Sequence, residues 1–291
     1  MSDSLVFVLI QALNGVQYGL LLFLVASGLT LIFGIMGIIN LAHGSFYMLG
    51  AYLAFAFTEA IGNFWLAILL AVPLTVVFGL VLEATLFRLL YRRDHLQQVL
   101  LTYGLILVFE ELRSLLFGDD VHGVAVPHFL DFSLALTGNL AYPAYRLVIS
   151  AFCLAIALGL ALVIQRTRLG MTLRAGAVNR EMVQSLGIDI GLVYRVVFAL
   201  GVALAALAGM IAAPVASVFP GMGNQILIIS FVVVVIGGIG SIRGAFLGAL
   251  LIGLADTFGQ VFLPQLAGMS VYVLMAATLL WRPAGLFGRV S

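Results

Sequence analysis

The side chains able to do chemistry in this chain are few. Four histidines, one cysteine and twelve acidic residues are spread over 291 positions. The densest group, Asp119, Asp120, His122, His128 and Asp131, mixes carboxylates with imidazoles, the donor types of a metal site. Their spacing matches no ligand pattern, so a solvated loop accounts for them and no metal is expected. Neither HExxH, which sets two imidazoles on one helix face, nor the GxSxG of a nucleophile elbow occurs, and Cys153 has no base beside it. The chain contains no lysine, so GxxxxGK[ST] cannot occur and a P-loop is excluded. If ATP drives this protein, another chain binds it. The chain itself is expected to be neither an enzyme nor the holder of a cofactor.

Composition explains the scarcity. With 64% apolar and 9% charged residues and a mean hydropathy of +1.23, the chain lies far from soluble domains, whose apolar share is about half and charged share about a quarter. The expected fold is an all-α polytopic membrane bundle, since a length of 291 residues holds roughly eight to ten spans of about 20 residues. Nine apolar runs qualify as spanning or re-entrant helices: Leu5–Ile35, Ser45–Ala60, Phe64–Phe87, Leu96–Phe117, Tyr142–Ile164, Gly191–Ala213, Gln225–Gly238, Ala245–Phe258 and Ser270–Trp281. Gln225–Gly238 and Ala245–Phe258 are too short to cross alone and read as re-entrant or broken helices, tolerated where protein covers the backbone. One transmembrane domain fills residues 1–291, with halves 1–165 and 192–291 on either side of a coupling segment, 166–191. The start, without positive charge before its apolar run, reads as an uncleaved first span. A net charge of +1 without a long basic run argues against nucleic acid. The single cysteine excludes an internal disulfide.

Arginine placement orients the layout. Arg88, Arg92, Arg93, Arg166, Arg168, Arg174, Arg180, Arg195, Arg243, Arg282 and Arg289 fall on one side of it, and only Arg113 and Arg146 on the other. The first side is therefore cytoplasmic, with the N-terminus outside and the C-terminus inside.

Charge, helical periodicity and small residues coincide in Arg166–Gly191. As one helix it places Ala175, Val178, Met182 and Leu186 on a single face, with Arg174, Arg180, Glu181 and Gln184 opposite. Gly187 suits a left-handed end and Asp189 suits the cap of the next helix. Such a helix either lies on the lipid interface or offers a surface to a cytosolic partner.

Other polar residues sit where helices break. Asn40, His43, Ser45 and Tyr47 surround a glycine-flanked interruption that is either an ordinary turn or a gate on a pathway. Asn14 and Gln17 share a face of the first span, suited to an interhelical hydrogen bond or a wet lining, the bond fitting better. Asn14, Asn40, His43 and Tyr47 are thus the candidates for a translocation path. The stretch Gly37 to Ala51 can be laid with gaps on Gly238 to Ala249, and duplicated broken helices point to a transport site. Gly240, Gly244 and Gly248 form a small-residue row for close helix packing, as do Gly201, Ala205, Gly209 and Ala213.

Four stretches together carry a family resemblance: GLTLIFGIMGIINLAHGSFYMLGAY (Gly28–Tyr52), LGMTLRAGAVNREMVQSLGID (Leu169–Asp189), GGIGSIRGAFLGA (Gly237–Ala249) and WRPAGLFGR (Trp281–Arg289). In the same order over essentially the full chain, they resemble the LivH-type permeases of branched-chain amino acid ABC importers. The resemblance implies that Arg174, Ala175, Asn179, Glu181, Met182, Leu186 and Gly187 dock on an ATPase, with Val183 standing where many relatives have alanine. It implies four partners: a LivM-type second permease, two ABC ATPase subunits and an external solute-binding protein. It further implies a small-molecule solute passed by alternating access across the lipid of a bacterial inner membrane. Branched-chain amino acids are the expected cargo. Urea, short amides or aromatic acids are the alternative within the family, and a stand-alone channel or ion-coupled carrier the alternative outside it.

Overall fold

Backbone in hydrocarbon must satisfy its own hydrogen bonds, which leaves the apolar runs one viable form. The computed structural model describes residues 3–91, 93–137 and 140–288. Arg92 and Arg289, counted above on the inner side, lie outside the described residues, and Arg180 is described by its backbone alone.

Helix α1 spans Asp3–Leu31 and continues as a π-helical turn, Ile32–Met36, that Gly37 ends at φ 68°. Helix α2 is His43–Ile61. Helix α3, Phe64–Leu82, runs through a second π-helical turn, Glu83–Phe87, into the single turn α4, Arg88–Leu90. Helices α5, His95–Phe117, and α6, Ala144–Arg166, flank a segment containing an antiparallel pair of strands, β1 Ser133–Thr137 and β2 Leu140–Pro143. Helices α7 (Arg168–Val178) and α8 (Arg180–Ser185) precede α9 (Ile190–Ala216), α10 (Met222–Gly237), α11 (Ile242–Phe262) and α12 (Ala267–Trp281). Each of the nine apolar runs therefore has its helix. Five of these helices, some with their π-helical continuations, are long and apolar enough to cross a membrane: Leu5–Met36, Phe64–Leu90, Ala144–Arg166, Ile190–Ala216 and Ile242–Phe262.

Two readings change. The run at Ala245–Phe258 is part of a 21-residue helix and is long enough to span. Its start moves back because the Ser241 hydroxyl caps it, accepting the Gly244 N–H at 3.1 Å. The coupling segment is two helices instead of one. Asn179 adopts an extended backbone (φ −151°) and its side chain accepts the Met182 N–H, stopping α7 and starting α8. A short amide competing for backbone hydrogen bonds breaks a helix that periodicity alone would continue.

Helices α1 and α9 form the centre. Helix α1 packs along α11, α9 and α10, and α9 packs also on α2 and α3. Small residues make this possible: a Cβ on Gly209 would lie 2.0 Å from the Tyr47 carbonyl oxygen, and one on Gly244 would lie 1.9 Å from that of Gly237. The row Gly240, Gly244, Gly248 is used inside the chain, since Gly240 meets Gly34 while Gly244 and Gly248 meet α10.

Candidate functional site

The first break is a fold-back. The His43 ring nitrogen Nε2 lies 3.0 Å from the Val25 carbonyl oxygen. Val25 precedes Met36, the end of the π-helical turn, by eleven residues, or about 16 Å of helix. Residues 37–42 therefore run back along α1, and α2 starts inside the bundle. Asn40 and His43 are fully buried, and both amide atoms of Asn40 and Nδ1 of His43 have no partner among the described residues. Buried polar groups in native proteins are normally satisfied, so such a cluster calls for a functional explanation.

Helix α10 also starts inside the bundle. Val218, four residues before its start, exchanges backbone hydrogen bonds of 2.8 Å with His122. After Gly221, at φ 79°, the chain turns into α10, whose Gly223 faces Gly44 of α2. A Cβ on Gly44 would lie 2.1 Å from the Gly223 carbonyl oxygen, so the two helix starts touch backbone to backbone. Neither start has a side-chain cap. Two helix starts, whose first N–H groups bond mainly to carbonyls of the preceding turns, thus meet near Asn40, and the Ser230 hydroxyl on α10 is likewise buried with no partner among the described residues. Tyr47, one turn along α2, is buried against α9.

Asn14 belongs elsewhere. Its side-chain oxygen accepts from the Tyr142 hydroxyl at 2.9 Å and from Arg146 at 2.7 Å, tying α1 to the start of α6. This is the interhelical hydrogen bond expected as one of its two roles.

Gln98 was not singled out in the sequence, where a glutamine near a helix start carries no distinguishing signal. Nearly fully buried on α5, it accepts the Ile39 N–H at 3.2 Å and donates to the carbonyls of Arg93 at 3.1 Å and Leu90 at 3.4 Å. It thereby clamps the fold-back to the loop after α4. Gln98→Ala is expected to cost about 1–3 kcal/mol of stability, read as a lowered thermal unfolding temperature in detergent. An unchanged temperature would mean the clamp does not hold the break.

The second break, between α10 and α11, has its own brace. The N–H groups of Leu286 and Phe287 donate to the carbonyls of Ile236 and Gly237 at 2.8 and 3.1 Å, so the C-terminal stretch caps α10. Gly34, in the π-helical turn before the first break, touches Gly240 in the second.

Beside these breaks lies a cavity of about 870 Å³. Stretches from all four motifs line it, including Thr30 and Gly34, Leu173 and Arg174, Ser241 and Arg243, and Phe287. Arg174 turns into this cavity and hydrogen-bonds to the Ile164 carbonyl at the end of α6.

The two helices of the coupling segment and the following α9 are capped in series. Thr167 accepts from Gly170, Asn179 from Met182 and Asp189 from Gly191, while Gly187 takes the left-handed conformation at φ 81°. Leu173 and Val183 face inward. Ala175, Glu181, Gly187 and Asn179 are exposed, and Val178, Met182 and Leu186 are 76%, 64% and 74% exposed. Among the described residues none covers Met182 or Leu186, and Val178 borders the cavity.

In the segment after α5 the imidazole of His122 stacks on Phe55 at 4.4 Å between ring centres, which gives it a packing role. Arg113 binds Asp119 at 2.7 Å and lies 3.4 Å from Glu110. The Arg113 hydrogen bond, with a second from Ser114, holds the Asp119 carboxyl below the usual carboxylate range.

Two helices that start inside a membrane bundle beside buried polar groups are the arrangement in which permeases build transport sites. Residues 11–280 match the family described as the permease component of the branched-chain amino acid transport system, and the chain belongs to that family. It is 32% identical over 294 residues to the high-affinity branched-chain amino acid transport system permease protein BraD of Pseudomonas aeruginosa, covering 96% of this chain and 95% of that one. It is 30% identical to the corresponding LivH protein of Escherichia coli K12, covering 99% and 98%. The probable LivH of Methanocaldococcus jannaschii is 27% identical, covering 94% and 91%. No solved structure matches the chain.

Proposed function

We propose that this chain is the permease subunit of an ATP-driven importer that moves branched-chain amino acids across a bacterial inner membrane by alternating access. The observation that carries the reading is the coupling segment: two short helices, capped at each start, that leave Met182 and Leu186 exposed with no described residue over them, while Val178 lines the groove beside α7. An exposed apolar patch on a membrane protein without a P-loop fits a docking surface for an ATPase on another chain. Met182, Leu186, Ala175, Glu181, Asn179 and Gly187 face that partner. Arg174 supports the segment from behind through α6.

The N-terminus lies outside and the coupling segment in the cytosol, a reading supported by the arginine distribution. A solute-binding protein delivers cargo on the outer side, and a LivM-type subunit supplies the other wall of the path. Two ATPase subunits close on ATP, and their motion reaches the α2 and α10 starts through α9, whose N-terminus Asp189 caps. Asn40, His43 and Tyr47 flank the gate where those starts touch. Such a ligand-driven shift is limited by the ligand's differential affinity for the two states.

The test is reconstitution. In liposomes the chain alone should give no flux of leucine, isoleucine or valine, and flux should appear when partner subunits, binding protein and ATP are supplied. Selective flux from the chain alone would replace the importer reading with a carrier or channel. ATP-dependent uptake of urea, amides or aromatic acids in preference to leucine would keep the importer and change its cargo.

A further inference from the structure

The 870 Å³ cavity beside α7 is a groove with an apolar length and a basic end. Its α6 wall runs from Leu154 to Gln165, eleven residues or about 16 Å, close to half of a hydrocarbon core about 30 Å thick. At one end Phe23 of α1 packs edge-on against Phe246 of α11, with ring centres 5.2 Å apart. Towards the other end Arg174 bonds to the last turn of α6, and Arg243 lines the groove between, one turn from Phe246 in the direction of the Gly34 and Gly240 contact. Among the described residues lining the groove there is no carboxylate. Its side is open, with Leu154 and Leu158 43% and 59% exposed.

We propose that this groove holds one anionic phospholipid, an acyl chain along α1 and α6 and the phosphate between Arg174 and Arg243. Two features select this occupant. The apolar length matches one leaflet. Two arginines without a counter-charge call for an anion, and the absence of any lining carboxylate leaves an amino acid's ammonium unpaired. Because Leu173, Arg174 and Ala177 of α7 form one wall, the bound lipid braces the coupling segment against the bundle. The proposal is independent of which solute the permease carries.

Full-length protein released from nanodiscs containing equal phosphatidylglycerol and phosphatidylcholine is expected to retain one phosphatidylglycerol in native mass spectrometry. Arg243 is exposed and makes no hydrogen bond or ion pair among the described residues, so Arg243→Ala should leave the fold intact and lower retention about fivefold. Arg174→Ala/Arg243→Ala should abolish the preference for the anionic lipid, and Ala161→Trp, which fills the apolar length, should remove lipid of both kinds. Equal retention of the two lipids, a preference surviving loss of both arginines, or undiminished binding in Ala161→Trp overturns the proposal. Release of the lipid by inorganic phosphate or leucine would mark an anion or solute site instead, and its displacement on assembly with partner subunits would mark a subunit interface. Either result equally overturns it.

Discussion

Met182→Asp/Leu186→Asp is expected to accumulate in the membrane at the unaltered level and to lose ATP-driven uptake. Both side chains are more than 60% exposed, so neither supports the fold of this chain. On docking each would bury an apolar side chain, contributing about 1.5–3 kcal/mol. Their replacement by carboxylates removes that gain and adds the cost of desolvating charge. A loss of about 3 kcal/mol or more weakens association at least about 100-fold, enough to separate the permease from its ATPase during purification. The measurement is co-purification of the ATPase together with solute uptake in reconstituted vesicles. Val183→Asp provides the contrast, because Val183 is 3% exposed and its replacement should lower the amount of folded protein. Normal uptake by Met182→Asp/Leu186→Asp would remove this surface from the coupling machinery.

The second large effect is expected at the contact between α2 and α10. In Gly44→Val the new Cβ would lie 2.1 Å from the Gly223 carbonyl oxygen and 2.8 Å from the Leu227 Cβ, and backbone cannot yield as a flexible side-chain end does. The helix starts must separate, at an overpacking cost of about 1–3 kcal/mol or more. If their contact is the gate, uptake should fall at least tenfold even in protein that folds. Gly104→Val serves as the control, since nothing lies within 4 Å of a Cβ at Gly104, and its uptake should stay within about twofold of normal. Uptake and unfolding temperature unaffected by Gly44→Val would show that the two starts need not touch.

Much of the fold was legible because hydrocarbon leaves a chain few options. Runs such as Phe64–Phe87 and Tyr142–Ile164 had to become helices, and their helices begin or end within a few residues of the apolar boundary. Local capping chemistry was legible too: Asp189 caps α9, and Gly187 adopts the left-handed conformation. The break at Asn179 was less visible, because apolar periodicity continues across it while a single amide decides the backbone. Around Asn40 and His43 the residue types suggested either a turn or a gate. Their complete burial required residues 37–42 to fold back along α1, a path set by contacts with Val25 and Gln98 distant in the chain.

Residue types and their order were sufficient for the helical membrane class, the absence of a nucleotide-binding loop and the family, because each depends on composition or on contiguous motifs. They could not show that Gly44 meets Gly223, that Gln98 clamps the first break, that the C-terminal stretch caps α10, or that four separate motifs line one groove. Those meetings join residues far apart along the chain, and in a bundle rich in glycine and alanine many helix pairings are locally equivalent. The full set of backbone approaches and buried hydrogen bonds, satisfied together, selects among them.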